Sequence, residues 1–191
     1  MTRAIYLRPW RVDATLRDGV PGIAPNAELA RCVAAALDAA GAPSPASIGL
    51  ILSDDAELAE LNALHMGKDA PTDVLSFPLL PPGAFPWHPG VPERVIGPSA
   101  RGAATAWGFA LPPGRRLHLG DIVVSVERAI EQAEGGRGGH TGERRWSPAD
   151  ELRLLVTHGT LHICGWDHAE AREEAAMRDL ETRLLGPIAP T

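Results

Sequence analysis

Apolar and polar positions along this chain alternate between strand-like and helix-like periods. Residues 4–8 read as a first strand. Over 27–40, Leu29, Cys32, Val33 and Leu37 recur at helical spacing, with Asn26 placed to cap the start and Gly41 just past the end. Residues 46–52 predict a buried strand. Asp54 then caps a helix reaching about residue 64, with Glu57 three positions on in capping-box register. The stretches 72–77 (TDVLSF) and 117–125 (LHLGDIVVS) are rich in Val, Ile, Leu and Phe and predict strands, the second followed by a helix over 126–133.

Near the C-terminus the period becomes helical again. Ser147 suits an N-cap, Pro148 the first helical position, and Asp150 stands three residues after the cap. Leu152, Leu155, Val156 and Ile163 give this helix an apolar face, and Gly165 ends it. A last amphipathic helix runs over 169–185, stopped by Gly186 and Pro187.

Two stretches break the pattern. Residues 78–114 hold nine of the eighteen prolines and show no sustained period, which predicts a surface excursion ordered in part, rather than a second domain, and a solvated loop rather than a cover for a groove or a contact for a partner. Residues 135–142 (GGRGGHTG) form a second connection with no Walker-type closure. The 191 residues therefore read as one domain, 1–191, interrupted by an insertion at about 78–116. Apolar content of 45% is ordinary for a globular protein. No apolar run is long enough to cross a bilayer, and the first residues lack a signal pattern, so a cytoplasmic protein without a membrane partner is expected. The net charge of −6 argues against coating nucleic acid by bulk electrostatics. A local basic groove remains open to Lys68, Arg115, Arg116, Arg144 and Arg145, each of which taken alone is an ordinary surface cation.

The chemistry lies in HGTLHICGWDH. His158 and His162 are four residues apart on a predicted helix, so their rings share a face. His168 follows a glycine that can turn the chain back. Three imidazoles in that arrangement make three sides of a tetrahedral zinc site and leave the fourth open, which is the form of a catalytic rather than a structural centre. One zinc ion per chain is expected, although three histidines and a water also suit nickel or cobalt. The spacing is that of H-E-x-x-H-x-x-G-x-x-H metalloproteases, but Gly159 stands where their glutamate base belongs, and glycine takes no proton. Asp167 is a candidate to orient a ligand, cap the turn or assist proton transfer. Cys164, between the second and third histidines, points away from His162 on a helix and reads as a small buried hydrophobe.

HGTLHICGWDH also resembles the signature H-G-x-L-H-x-x-G-[YW]-D-H of the YbeY family, bacterial rRNA maturation factors regarded as metal-dependent endoribonucleases. LNALHMGKDAPTDVLSFP and LGDIVVS resemble two further family segments, and EQAE followed by GHT a third, all in order along the chain. The resemblance implies an α+β single domain, a small mixed β-sheet packed against helices, with HxxxH on the metal-binding helix and the third histidine after a glycine turn. It implies metal-centred catalysis at His158, His162 and His168. It further implies single-stranded RNA as substrate, a role in 16S rRNA 3′-end maturation and ribosome quality control, and the small ribosomal subunit with its assembly factors as partners; DNA is not expected. RNA brings its own 2′-OH, which lessens the need for the base that Gly159 replaces. Where the family pattern commonly has an arginine before Gly-Lys-Asp, this chain has Met66, preceded by His65, and methionine cannot pair with phosphate. Lys68 or an arginine from elsewhere then takes that role. Two other functions stay open from the residues: a zinc-dependent peptide or amide hydrolase, and a ribosome-assembly factor with structural zinc and little nuclease activity.

Overall fold

A computed structural model describes residues 1–68, 70–89, 116–135 and 146–185. Among them lie strands β1 (Thr2–Leu7), β2 (Trp10–Leu16), β3 (Ala46–Ser53), β4 (Val74–Pro78) and β5 (Leu117–Ser125). The helices are α1 (Asn26–Ala39), α2 (Asp55–Met66), α3 (Val126–Gly135), α4 (Pro148–Ile163) and α5 (Ala171–Leu185). One sheet takes the order β1-β2-β3-β5-β4, with β2, β3 and β5 parallel and the two outer strands antiparallel to their neighbours. This is the mixed sheet of a single α+β domain, as expected.

The core sits between one sheet face and helices α1 and α4. On β3, Ala46, Ile48, Leu50 and Leu52 are at most 2% exposed, which follows from a strand buried near the middle of the sheet. The other face is partly covered by α2 and carries polar pairs farther out, such as Arg11–Asp13 at 2.8 Å. Where β5 passes β3 the register slips between Ser47 and Gly49, and Gly120 takes φ 145°. A side chain on Gly120 would collide with the Phe77 carbonyl and Ile163, so glycine lets the sheet approach α4.

Several boundaries differ from expectation for identifiable reasons. Strand β2 is absent from the sequence reading, although WRVDATL alternates: Trp10, Val12 and Ala14 are buried and the residues between them are less so. The indole of Trp10 donates to Asp38 Oδ1 at 2.8 Å and ties β2 to α1. Asn26 is the first residue of α1 rather than its cap, because extended Pro25 already occupies the cap position, with no side-chain bond. At α2, Asp54 accepts from the Glu57 amide at 2.9 Å as expected, but the Glu57 carboxylate turns to Arg17 and Ser53, so the capping box is half formed. The excursion after β4, expected to be ordered in part, is packed over residues 79–89, where Phe85 joins the core and His88 is 8% exposed, so the solvated-loop reading does not hold there. The rest of that insertion, the 136–145 connection and the stop at Gly186 and Pro187 lie outside the described residues.

Candidate metal centre

Helix α4 is set by its ends. Ser147 Oγ accepts from the Asp150 amide at 3.2 Å while Asp150 Oδ2 accepts from the Ser147 amide at 3.1 Å, the reciprocal capping box. At the other end the Gly165 amide donates to His162 O and the Trp166 amide to Leu161 O, both at 3.0 Å. These two bonds make a Schellman motif, and Gly165 supplies its left-handed residue with φ 83°. The turn folds the segment 166–168 back over the last turn of α4. That is what brings His168 to the histidines of the helix.

The three rings converge. His158 and His162 have centroids 4.5 Å apart, and His168 lies 5.3 and 5.1 Å from them. One ligand nitrogen from each of the three falls within 4.8 Å of the others, so the group could hold a metal ion. His158 Nδ1 donates to Glu181 Oε1 at 2.6 Å, and His162 Nδ1 donates to the Trp166 carbonyl at 2.8 Å. With both Nδ1 protons committed to acceptors, the tautomers that leave Nε2 free turn two lone pairs toward each other, and the two Nε2 atoms stand 3.0 Å apart. Two lone pairs at that separation repel unless a cation lies between them. Nitrogens bound at about 2.0–2.1 Å in a zinc tetrahedron would stand about 3.3 Å apart, so the donor set fits such an ion. Burial, helped by His158 and His168, pushes the His162 imidazole down to about 4, which keeps it neutral and ready to ligate.

Gly159 has a packing role. It faces the sheet where α4 crosses β4 and β5, its carbonyl accepting from Ser76 Oγ at 2.9 Å. A Cβ there would lie 2.7 Å from Ile122 Cγ2 and 2.9 Å from Val74 Cγ2. A glutamate at 159 would therefore be driven into the sheet.

The sequence pattern of the family described as endoribonuclease YbeY matches residues 22–189. The chain belongs to the YbeY family. An endoribonuclease YbeY from Thermobifida fusca is 35% identical over 174 residues, covering 91% of each chain. The one from Salinispora tropica is 42% identical over 150 residues, 78% of this chain and 79% of that one. The one from Moorella thermoacetica is 40% identical over 160 residues, 84% of each. A solution structure of a Thermotoga maritima protein aligns with a TM-score of 0.47 at 20% identity, over 91% of this chain and 86% of that one.

In this YbeY chain the other candidates separate. Asp167 Oδ1 accepts the backbone N–H of His168 at 2.8 Å, so it braces the turn that carries the third histidine. Cys164 is fully buried, its thiol pushed up to about 12 by desolvation, and lies outside the metal-holding group. Lys68 is exposed just past the C-terminus of α2, and Met66, at the usual arginine position, is 52% exposed. Arg116 donates to the Pro9 carbonyl and serves the fold. Arg115, Arg144 and Arg145 lie outside the described residues. Sequence reasoning missed Glu181. Its signal is a carboxylate in the stripe of α5 whose neighbours, Met177 and Leu180, are core residues.

Proposed function

We propose that this chain is a single-strand-specific endoribonuclease acting in 16S rRNA 3′-end maturation and ribosome quality control, with zinc held by His158, His162 and His168. The observation that carries the reading is the convergence of three imidazoles, two with tautomers fixed by acceptors, in a member of the YbeY family. A divalent ion held there supplies a Lewis acid that polarises a phosphate oxygen and neutralises developing charge. The chain does the rest. His158 and His162 are oriented by Glu181 and by the Trp166 carbonyl, and Asp167 fixes the backbone of His168. Lys68 meets phosphate electrostatically from the end of α2, in place of the arginine that Met66 displaces. The whole chain, 1–191, acts as one unit, interrupted by the insertion at about 78–116. It works in the cytoplasm, on the small ribosomal subunit and in company with its assembly factors.

The test uses purified full-length chain and single-stranded RNA, with and without chelator, beside His162→Ala. Cleavage should disappear in both the chelated and the substituted samples and return when zinc is restored to the parent. Cleavage that survives either change would refute the metal-dependent reading. Intact RNA in every sample, with the chain co-sedimenting with small subunits, would replace the nuclease with an assembly factor.

A further inference from the structure

Glu181 lies on α5, away from the segment that carries the three histidines, and is 9% exposed. A carboxylate buried beside Met177 and Leu180 is costly unless a donor meets it. Among the described residues its ion-pair partner is His158, with Nδ1 2.6 Å from Oε1. The donor is therefore an imidazole whose other nitrogen faces His162 Nε2 at 3.0 Å. Its counterpart on His162 is the Trp166 carbonyl, a neutral backbone group. The two helix histidines are thus held unequally, one by an anion from a distant element and one by its own helix-ending turn.

We propose that Glu181 is a positioning residue of the metal centre. By accepting the Nδ1 proton of His158 it fixes the tautomer and ring angle that aim Nε2 at the shared point, and its negative charge makes that nitrogen a stronger donor. Helix α5 is then part of the metal site as well as part of the core. This rests on the reading of His158, His162 and His168 as ligands.

The proposal is tested on full-length chain stripped of metal and titrated with zinc against a chromophoric chelator. Glu181→Gln keeps the size and an acceptor but drops the charge, and Glu181→Ala drops both. Zinc affinity should fall about tenfold in the first and up to about a hundredfold in the second. Heteronuclear NMR of the ring nitrogens in the metal-free parent should show His158 protonated on Nδ1, with a shift toward mixed tautomers in Glu181→Ala. A residue that only fills space would leave both readouts unmoved, even where it lowers the metal-free unfolding midpoint. If Glu181→Ala does not fold, the near-isosteric Gln variant and the parent spectrum decide. Zinc affinity within about twofold of the parent in folded Glu181→Gln, or His158 carrying its proton on Nε2, overturns the proposal. Zinc affinity that depends on Glu181 in a chain that never cuts RNA would leave this inference standing and remove the proposed function. Chelator-sensitive cleavage with affinity indifferent to Glu181 would do the reverse.

Discussion

Gly159→Ala sets two known effects against each other at one buried position. Replacing a helix-interior glycine by alanine adds about 1 kcal/mol of helix propensity. Against this, the new methyl would stand 2.7 Å from Ile122 Cγ2, 2.9 Å from Val74 Cγ2 and 3.3 Å from Ser76 Oγ. Unstrained carbon pairs sit about 3.5–4.0 Å apart, so two contacts are short by more than half an ångström. Neither neighbour yields easily. Both are β-branched with restricted χ1, and Ile122 is fully buried. Overpacking of this kind costs about 1–3 kcal/mol, so the variant should be destabilised by about 1 kcal/mol net, and by about 2 at most. In a chain of this size that is a fall in Tm of about 2–4 °C per kcal/mol. Urea unfolding in the presence of chelator, read at unchanged m, isolates the packing cost from metal linkage. A variant clearly more stable than the parent would show that α4 can lift from the sheet freely and would refute the close-approach account of Gly159.

Two other perturbations follow from the same helix and its turn. Burial pushes the His88 imidazole, stacked on Trp166 at 4.0 Å, down to about 4 from 6.5. Below pH 6.5 the unfolded chain then takes a proton that the folded chain refuses, so stability falls as pH drops toward about 4, by about 3 kcal/mol at most. His88→Phe keeps a ring on Trp166 and removes the titration. Its metal-free stability should decline less steeply over that window, and parallel curves would discard the assignment. Ser147→Ala removes the N-cap of α4 and should cost about 1 kcal/mol by chemical denaturation without changing zinc affinity, since the ligands lie at the far end of the helix; a cost near zero would mean that the cap bond is not formed in solution.

The metal centre was largely legible in the chain because its determinants are local. His158, His162, Gly165 and His168 lie within three helical turns, and a four-residue spacing on a capped helix leaves little freedom for where two rings point. The parts that were not legible depend on distant contacts. Glu181 reaches His158 across twenty-three positions, and its place in the apolar stripe of α5 marks it as inward-facing without naming the partner it meets. His88 stacks on Trp166 from the proline-rich segment, where no period marks it as buried. Strand β2 shows a fair alternation, but the charged Arg11 and Asp13 between its buried residues obscure it until the open sheet face explains them. The Asn26 cap failed for a local reason, since Pro25 had already placed the chain at the helix entrance.

Gly159 also bears on which substrate suits the site. Successive residues on a helix are turned by about 100°, so a residue adjacent to His158 cannot share its direction. In this fold that neighbouring direction is occupied by Ile122, Val74 and Ser76. The helix that presents His158 and His162 therefore has no room beside them for the carboxylate that serves peptide hydrolysis in the related spacing. Whatever nucleophile reacts at the centre, its proton must then pass to a group on another element or to solvent. A ribose 2′-hydroxyl lies next to the phosphodiester it can attack, so an RNA strand carries the reacting group to the centre itself. The contact that excludes a base from α4 thus sets this centre apart from the metalloprotease arrangement on packing grounds, while the choice of RNA as substrate rests on the family match.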